Sequence, residues 1–373
     1  MKNEKALFIL HYSPPIHGAS KVGDYILNSK LIKGKFKTIF IKIKSSSRID
    51  EIGAFKIKKL GLFFELFFKV VFQLIFFRPK NIYFTPSPQG FAFYRDLMVV
   101  LPVKVYCRFA NIKIFYHYHA RGIREFTGKS RFNRLLTNYF VNNTHLILIS
   151  EKLKPEVEFL NSYSSISILP NGVINTINNT EFRSIIKSRI HSKEVQILYL
   201  SNMMKDKGYD VVLEMAKRFR QCSKNVKINF AGAWSSKEDE VYFNTYVRTH
   251  KLEDYVTYHG LVQGDKKKRL FSDATIFIFP SSYKKEVFPL AVLEALSFGL
   301  PVLAFDIGAV SKIIHPKIGV ITNKESIFAD LNTMLSEYQS EDIFFNCRKE
   351  FERNYSVEVF EENLLKIIQM CNG

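Results

Sequence analysis

Residues 274–305 read ATIFIFPSSYKKEVFPLAVLEALSFGLPVLAF. The pattern predicts a strand at Thr275–Phe279, a helix whose first position is Pro289, and a second strand at Pro301–Phe305. The helix carries Glu294 among Ala291, Val292, Leu293, Ala295, Leu296 and Phe298. A helix of that composition faces a core, and an ionised carboxylate on it is costly unless something pairs with it. Glu286 stands just before the same helix. Two carboxylates beside a helix N-terminus, which can hold an anion, point to a phosphorylated, hydroxyl-rich ligand; a sugar nucleotide fits that description.

The same alternation of strand and helix extends in both directions. Upstream, strands are expected at Ala6–Leu10, Lys37–Ile43, Asn81–Phe84, Lys113–Tyr118, His145–Ser150 and Ile166–Leu169, with helices near Lys21–Leu31, Leu60–Phe77, Phe91–Phe109 and Arg131–Phe140. Asn175–Thr180 (NTINNT) reads as a linker. Alternation then restarts with strands Val195–Leu200, Val226–Ala231 and Tyr255–Tyr258 and helices Lys207–Arg220 and Ser236–His250; helices from about Lys324 finish the chain. Two βαβ-rich halves predict an α/β protein with two Rossmann-like, doubly wound parallel-sheet domains facing a cleft. Ligands in such folds sit at the carboxyl ends of strands, where His17, Gly18, His119, Asn202 to Lys207 and Glu286 gather.

The 373 residues suit two cores, and 47% hydrophobic residues exclude disorder. Fifty-four Lys+Arg against 35 Asp+Glu give +19, which points to anionic partners such as phosphate ligands or an acidic membrane surface. Nucleic acid has only this charge in its favour and is not expected as a partner. Cys107, Cys222, Cys347 and Cys371 form no CxxC pair and read as reduced thiols of a cytosolic compartment. No signal peptide is expected, since Ala6 to Leu10 is too short for one and reads as the first strand. Leu60–Phe77 (LGLFFELFFKVVFQLIFF) carries Glu65, Lys69 and Gln73 four residues apart, a polar stripe that a membrane-spanning helix rarely turns to lipid. With Lys56, Lys58 and Lys59 before it and Arg78 and Lys80 after it, the segment reads either as a helix packed under its own sheet or as one lying partly on an anionic membrane.

Lys205-Asp206-Lys207-Gly208 opens a helix, where a cation opposes the helix dipole. The tetrapeptide is either a diphosphate clamp, with Gly208 allowing close backbone approach, or a solvated basic loop. His117 and His119 end a strand on one face, but no matching ligand spacing and no DxD accompany them, so no metal is expected. Gly18, in PPIHGAS, is a candidate tight-turn glycine in a loop that lacks the GxGxxG pattern.

Together these residues resemble the retaining glycosyltransferases of family 4, the glycosyl transferases group 1, which have the GT-B architecture. ILYLSNMMKDKGYDVVLEMA from Ile197, INFAG, VTYHG, the E-x7-E spacing of Glu286 and Glu294, and the inter-domain ILPNGV carry the likeness in order. The resemblance implies that residues 1–172 form an acceptor-binding domain completed by a C-terminal helix within 356–373, and that 173–355 bind the nucleotide-sugar. It implies that Lys207 holds the donor diphosphate, that Glu294 bonds the ribose hydroxyls, and that Glu286 and His119 contact the transferred sugar. Backbone amides around Phe288, Pro289 and Leu290 would bind phosphate, and Gly18 matches the family's N-terminal glycine loop. The chain departs from the family in having Ser201-Asn202 where Gly-Arg is common, so that Asn202 and Lys205 line the donor site without the usual arginine, and Val287 where a glycine is common.

The implied chemistry is a metal-independent, cofactor-free transfer of a hexose-type sugar from a UDP- or GDP-sugar to a lipid-linked saccharide or oligosaccharide acceptor. It would serve O-antigen, lipopolysaccharide, capsule or exopolysaccharide assembly, with the protein cytoplasmic and peripheral at the inner face of the membrane. The alternatives are a GT-B nucleotide-sugar epimerase and a non-catalytic, membrane-docked partner subunit.

Overall fold

The computed structural model describes residues 4–14, 18–44, 54–222, 224–337 and 340–370. His17 and Cys371, singled out above, lie outside them. The chain divides into two compact units, one made of Met1–Asn171 with Val357–Gly373, the other of Gly172–Ser356.

Unit 1 holds six strands: β1 (Glu4–Leu10), β2 (Phe36–Lys42), β3 (Asn81–Phe84), β4 (Lys113–Tyr118), β5 (His145–Leu148) and β6 (Ser165–Ile168). They lie in the order β2-β1-β3-β4-β5-β6 and every pair is parallel, with Ala6 opposite both Thr38 and Asn81. A parallel sheet must be covered on both faces, which is why its central strands are continuous apolar runs. Alternate residues serve the two sides. Phe8, Tyr83, Phe115 and Ile147 pack with Val22, Ile26 and Ile32 from helices Gly18–Asn28 and Lys30–Lys35, and with Phe360, Leu364 and Ile368 from Val357–Met370. On the other side Phe84 and Tyr116 meet Phe140 of helix Arg131–Val141, which in turn meets Phe93 of helix Gly90–Tyr106.

Unit 2 repeats the plan with β7 (Val195–Leu200), β8 (Val226–Ala231), β9 (Val256–Tyr258), β10 (Ile276–Phe279), β11 (Val302–Phe305) and β12 (Gly319–Thr322). The order is β12-β11-β10-β7-β8-β9, again all parallel. Its core gathers Tyr199, Phe219, Phe230, Phe243, Ile276 and Leu303. The chain enters and leaves unit 2 side by side, where Val173 bridges Ser356 and the Val173 N–H donates to the Tyr355 carbonyl at 2.9 Å.

Four local expectations change. The tract read as a linker contains a helix N-terminus. Asn178 Oδ1 accepts from the Glu181 N–H and the Asn178 N–H donates to Glu181 Oε2, each at 2.9 Å, so a capping box starts helix Asn179–His191. Helix Gly264–Asp273 and strand β12 are additional elements. The helix expected from Lys207 begins at Tyr209, because Gly208 turns left-handed at φ 83° after the short turn Lys205–Lys207. Pro289 caps helix Leu290–Ser297 from outside and is not its first residue.

The final helix packs on one face of the first sheet. Leu364 is fully buried there, and Leu364→Ala should cost unit 1 about 2–5 kcal/mol. Urea unfolding followed by tyrosine fluorescence measures the loss; a cost below about 1 kcal/mol would mean the helix is dispensable to that core.

Candidate functional site

In unit 2 the chain winds outward from β7 through β8 to β9, then returns to β10 and winds the other way to β12. Neighbouring β7 and β10 therefore send their following loops apart, and this switch point is where an open α/β sheet leaves a crevice. The Lys205–Gly208 turn follows β7, and the segment 280–289 follows β10. Backbone contacts fix the two loops to each other. The Ser282 N–H donates to the Asp206 carbonyl at 2.8 Å, and a Cβ on Gly208 would lie 2.2 Å from the Pro280 carbonyl oxygen. No other residue fits Gly208 at that φ and that distance. The loop after β11 closes the third side. Gly308, at φ 55°, leaves no room for a Cβ beside the carbonyls of Glu286 and Val287, and the Ala309 N–H donates to the Val287 carbonyl at 2.7 Å.

On this frame Lys207 Nζ and Glu286 Oε2 form an ion pair, with side chains only 12% and 14% exposed. The ammonium also stands 4.6 Å from the centre of the Tyr283 ring. Glu294 is half-buried, and Lys267 Nζ of helix Gly264–Asp273 reaches its Oε2 at 2.6 Å. Each carboxylate near the apolar helix thus has its own lysine. Lys267 escaped the sequence reading, because its helix is a short polar run in which Lys266, Lys267 and Lys268 look alike. Helical rotation sends them to three partners: the His259 carbonyl, Glu294 and Glu181.

Helix Leu290–Ser297 has no side-chain cap on its N-terminus, because Pro289 has nothing to offer its first amides. Phe288 and Pro289 are buried and Leu290 half-buried. The other end of the helix is held by buried arginines that sequence gave no reason to choose. Arg189 donates to the Phe298 carbonyl at 2.8 Å and Arg348 to the Ser297 carbonyl at 2.5 Å. Burial pushes the Arg189 pKa down to about 9. These cations lie at the negative end of the helix dipole.

Three candidates are exposed. Lys205 lies 4.3 Å from the centre of the Tyr242 ring. Asn202 is exposed just past β7. Gly18, in unit 1, is the exposed first residue of helix Gly18–Asn28, where a Cβ would touch nothing, so a tight turn does not demand glycine there. The close-packed glycine is Gly23, whose Cβ would overlap the His11 carbonyl.

Also in unit 1, His117 lies fully buried one residue before the end of β4, and its Nδ1 shares a hydrogen bond with the Tyr83 hydroxyl. Burial lowers its proton affinity well below the usual value, so it is neutral. Half-buried His119, just past the strand, lies against His117 with ring centres 4.1 Å apart and the rings tilted by 44°. Among the described residues no cluster of three His, Cys, Asp or Glu side chains is arranged to hold a metal ion.

Residues 181–345, which carry all four members of the two ion pairs, match the family model described as Glycosyl transferases group 1. The chain is similar to the uncharacterized glycosyltransferase MJ1607 of Methanocaldococcus jannaschii, 26% identical over 61% of this chain and 60% of that protein. The putative teichuronic acid biosynthesis glycosyltransferase TuaC of Bacillus subtilis is 25% identical over 53% of this chain and 48% of that one. The matches therefore span 60% or less of these curated relatives. The crystal structure of Anabaena Alr3699/HepE in complex with UDP and glucose superposes with a TM-score of 0.68 over 98% of this chain and 99% of that one, at 13% identity. The fold is GT-B.

Two outcomes check the electrostatics. In a cycle of Lys267→Met, Glu294→Gln and the double variant, unfolding free energies should couple by on the order of 1 kcal/mol. Strict additivity would show that the pair contributes nothing. For His117 the folded pKa lies below the unfolded value near 6.5, so its contribution to unit 1 is complete above that pH and is lost as pH falls below it. His117→Asn should flatten this acid limb of the stability profile; an unchanged limb would assign it to other groups.

Proposed function

We propose that the protein is a retaining glycosyltransferase that moves a hexose-type sugar from a UDP- or GDP-sugar to a lipid-linked saccharide in bacterial cell-surface polysaccharide synthesis. The observation that carries this reading is the set of groups around helix Leu290–Ser297: an uncapped N-terminus beside two lysine–glutamate pairs at the sheet switch point. Unit 2 takes the nucleotide-sugar and unit 1 the acceptor. Uridine diphosphate and glucose in HepE, and the naming of TuaC for teichuronic acid, support the donor class and the pathway class.

Lys207 and Glu286 neutralise each other. A donor separates their tasks. Its diphosphate takes the Lys207 ammonium and the amides around Phe288–Leu290, the sugar hydroxyls take Glu286, and the ribose takes Glu294. Breaking the bond from the anomeric carbon to the diphosphate leaves negative charge on the phosphate, which Lys207 and the helix dipole stabilise without a metal ion. The acceptor oxygen forms its bond on the face the phosphate leaves, and the phosphate oxygen accepts the acceptor's proton, so configuration is retained with no glycosyl-enzyme. His119 of unit 1 orients the sugar, and Asn202, Lys205 and Gly18 border the donor. The protein acts from the cytoplasmic side as a peripheral membrane enzyme.

A thermal-shift panel of UDP- and GDP-sugars tests the donor, since a ligand at about a hundredfold over its Kd stabilises by roughly 2.7 kcal/mol. Lys207→Ala and Glu294→Ala should each abolish the shift or raise donor KM by about tenfold or more. Wild-type turnover in both variants would overturn the assignment.

A further inference from the structure

The three crossovers β2→β3, β3→β4 and β4→β5 all run in one direction along the sheet. Right-handed connections therefore place helices Ala54–Phe72, Gly90–Tyr106 and Arg131–Val141 on a single face of unit 1. Adjacent helices pack on each other, and the Tyr94 hydroxyl donates to Asn133 Oδ1 at 2.8 Å across the second joint. The inner sides bury Leu66, Val70, Phe93, Val103 and Phe140, as a covering layer must.

The outer side does not look like solvent-facing protein. Of the 21 large hydrophobic side chains exposed among the described residues, 13 belong to this layer and the short segments that end its helices. Phe64, Phe68, Phe72 and Phe76 recur every four residues along one line, continued through the extension Gln73–Phe77. Phe91 is 94% exposed at the start of the second helix and Phe109 86% just beyond its end; Phe132 and Leu135 add the third. A monomer seldom leaves so much contiguous apolar surface without a partner.

Charge decides which partner. Between residues 54 and 141 the sequence has fifteen Lys and Arg against three Asp and Glu. Glu65 is held by Lys44 and Lys69, Glu125 by Lys129, and Asp96 is buried against Arg95. Arg78, Lys80, Arg108, Arg131 and Arg134 remain exposed beside the phenylalanines. A second copy of the chain would bring this positive surplus against itself. An anionic bilayer offers phosphates to the cations and acyl chains to the rings. No helix of the described residues is long and apolar enough to cross a membrane, so the layer would lie on it.

We infer that the outer face of this three-helix layer is a docking surface for an anionic phospholipid bilayer, seated through phenylalanines from all three helices and not through the Leu60–Phe77 segment alone. The inference deepens the membrane part of the proposed function and rests on that reading for its purpose, while its geometry is independent of donor chemistry.

The test is co-sedimentation of the full chain with vesicles of phosphatidylcholine alone or mixed equally with phosphatidylglycerol, with no donor present. Wild type should partition onto the anionic vesicles and release at high salt. The variant F68S/F72S/F132S, altered only at exposed positions, should keep its thermal midpoint and lose partition by about tenfold or more. F91S/F109S should weaken it as well, whereas V241S/L261S, at exposed sites of unit 2, should not. Equal partition of wild type and F68S/F72S/F132S, or no binding of wild type at low salt, overturns the inference. A wild-type dimer in sedimentation velocity that F68S/F72S/F132S dissolves also overturns it, in favour of a second copy. Nucleotide-sugar shifts measured on the same proteins separate the two proposals: vesicle binding without any donor shift would sink the transferase reading and leave the surface standing.

Discussion

A helix as apolar as Leu290–Ser297 tolerates carboxylates at its edge only if their charge is answered locally, and much of unit 2 is arranged to do so. Lys207 answers Glu286 and Lys267 answers Glu294, while Arg189 and Arg348 occupy the opposite end. These cations come from four other elements: the turn after β7, the helix before β10, the helix that follows the chain's entry into unit 2, and a helix near its exit. The helix is therefore aligned by charge at both ends and packed by Val292, Leu293, Ala295 and Leu296 between them. A rigid element with one end left uncapped makes a directional binding surface at little reorganisation cost.

The strands were legible because buried parallel strands are apolar runs bounded by turns, and β3, β4, β7 and β8 coincide with the segments read from sequence. Helix Val357–Met370 was expected from the family resemblance, and the pairing need of Glu294 was legible from its apolar neighbours. Helices Asn179–His191 and Gly264–Asp273 were hidden by their polarity. For the first, the Asn178–Glu181 capping box was present in the letters but submerged in a tract of similar residues. Partner identity is a different kind of information. Nothing local distinguishes Lys267 from the lysines on either side, or marks Arg189 and Arg348 as buried, because only the fold brings Lys267 to Glu294 and the arginines to the Phe298 and Ser297 carbonyls.

The two units divide the physical demands on this sequence. Unit 2 sets two little-exposed lysine–glutamate pairs beside one helix. Unit 1 leaves its cations exposed and its phenylalanines outward on one covering layer, while it reserves its interior aromatic network, Phe84, Phe93, Tyr116 and Phe140, for the same helices' inner sides. The same helices turn buried apolar side chains to the sheet and exposed phenylalanines outward, so Leu60–Phe77 is greasy on both sides, yet no helix of the described residues is long and apolar enough to cross a membrane.

The side-by-side crossing at Val173 and Ser356 makes unit 2 an insertion in the sequence of unit 1. Synthesis runs from the N-terminus, so Phe8, Tyr83 and Phe115 emerge long before Phe360, Leu364 and Ile368, their covering residues. At ribosomal rates the whole of Gly172–Ser356 separates them by on the order of ten seconds or more. For that interval one side of the first sheet has only part of its cover, while unit 2, contiguous in the chain, can close its own core. The last fourteen-residue helix is then a timed seal, and the nascent chain is most exposed to aggregation just before it arrives.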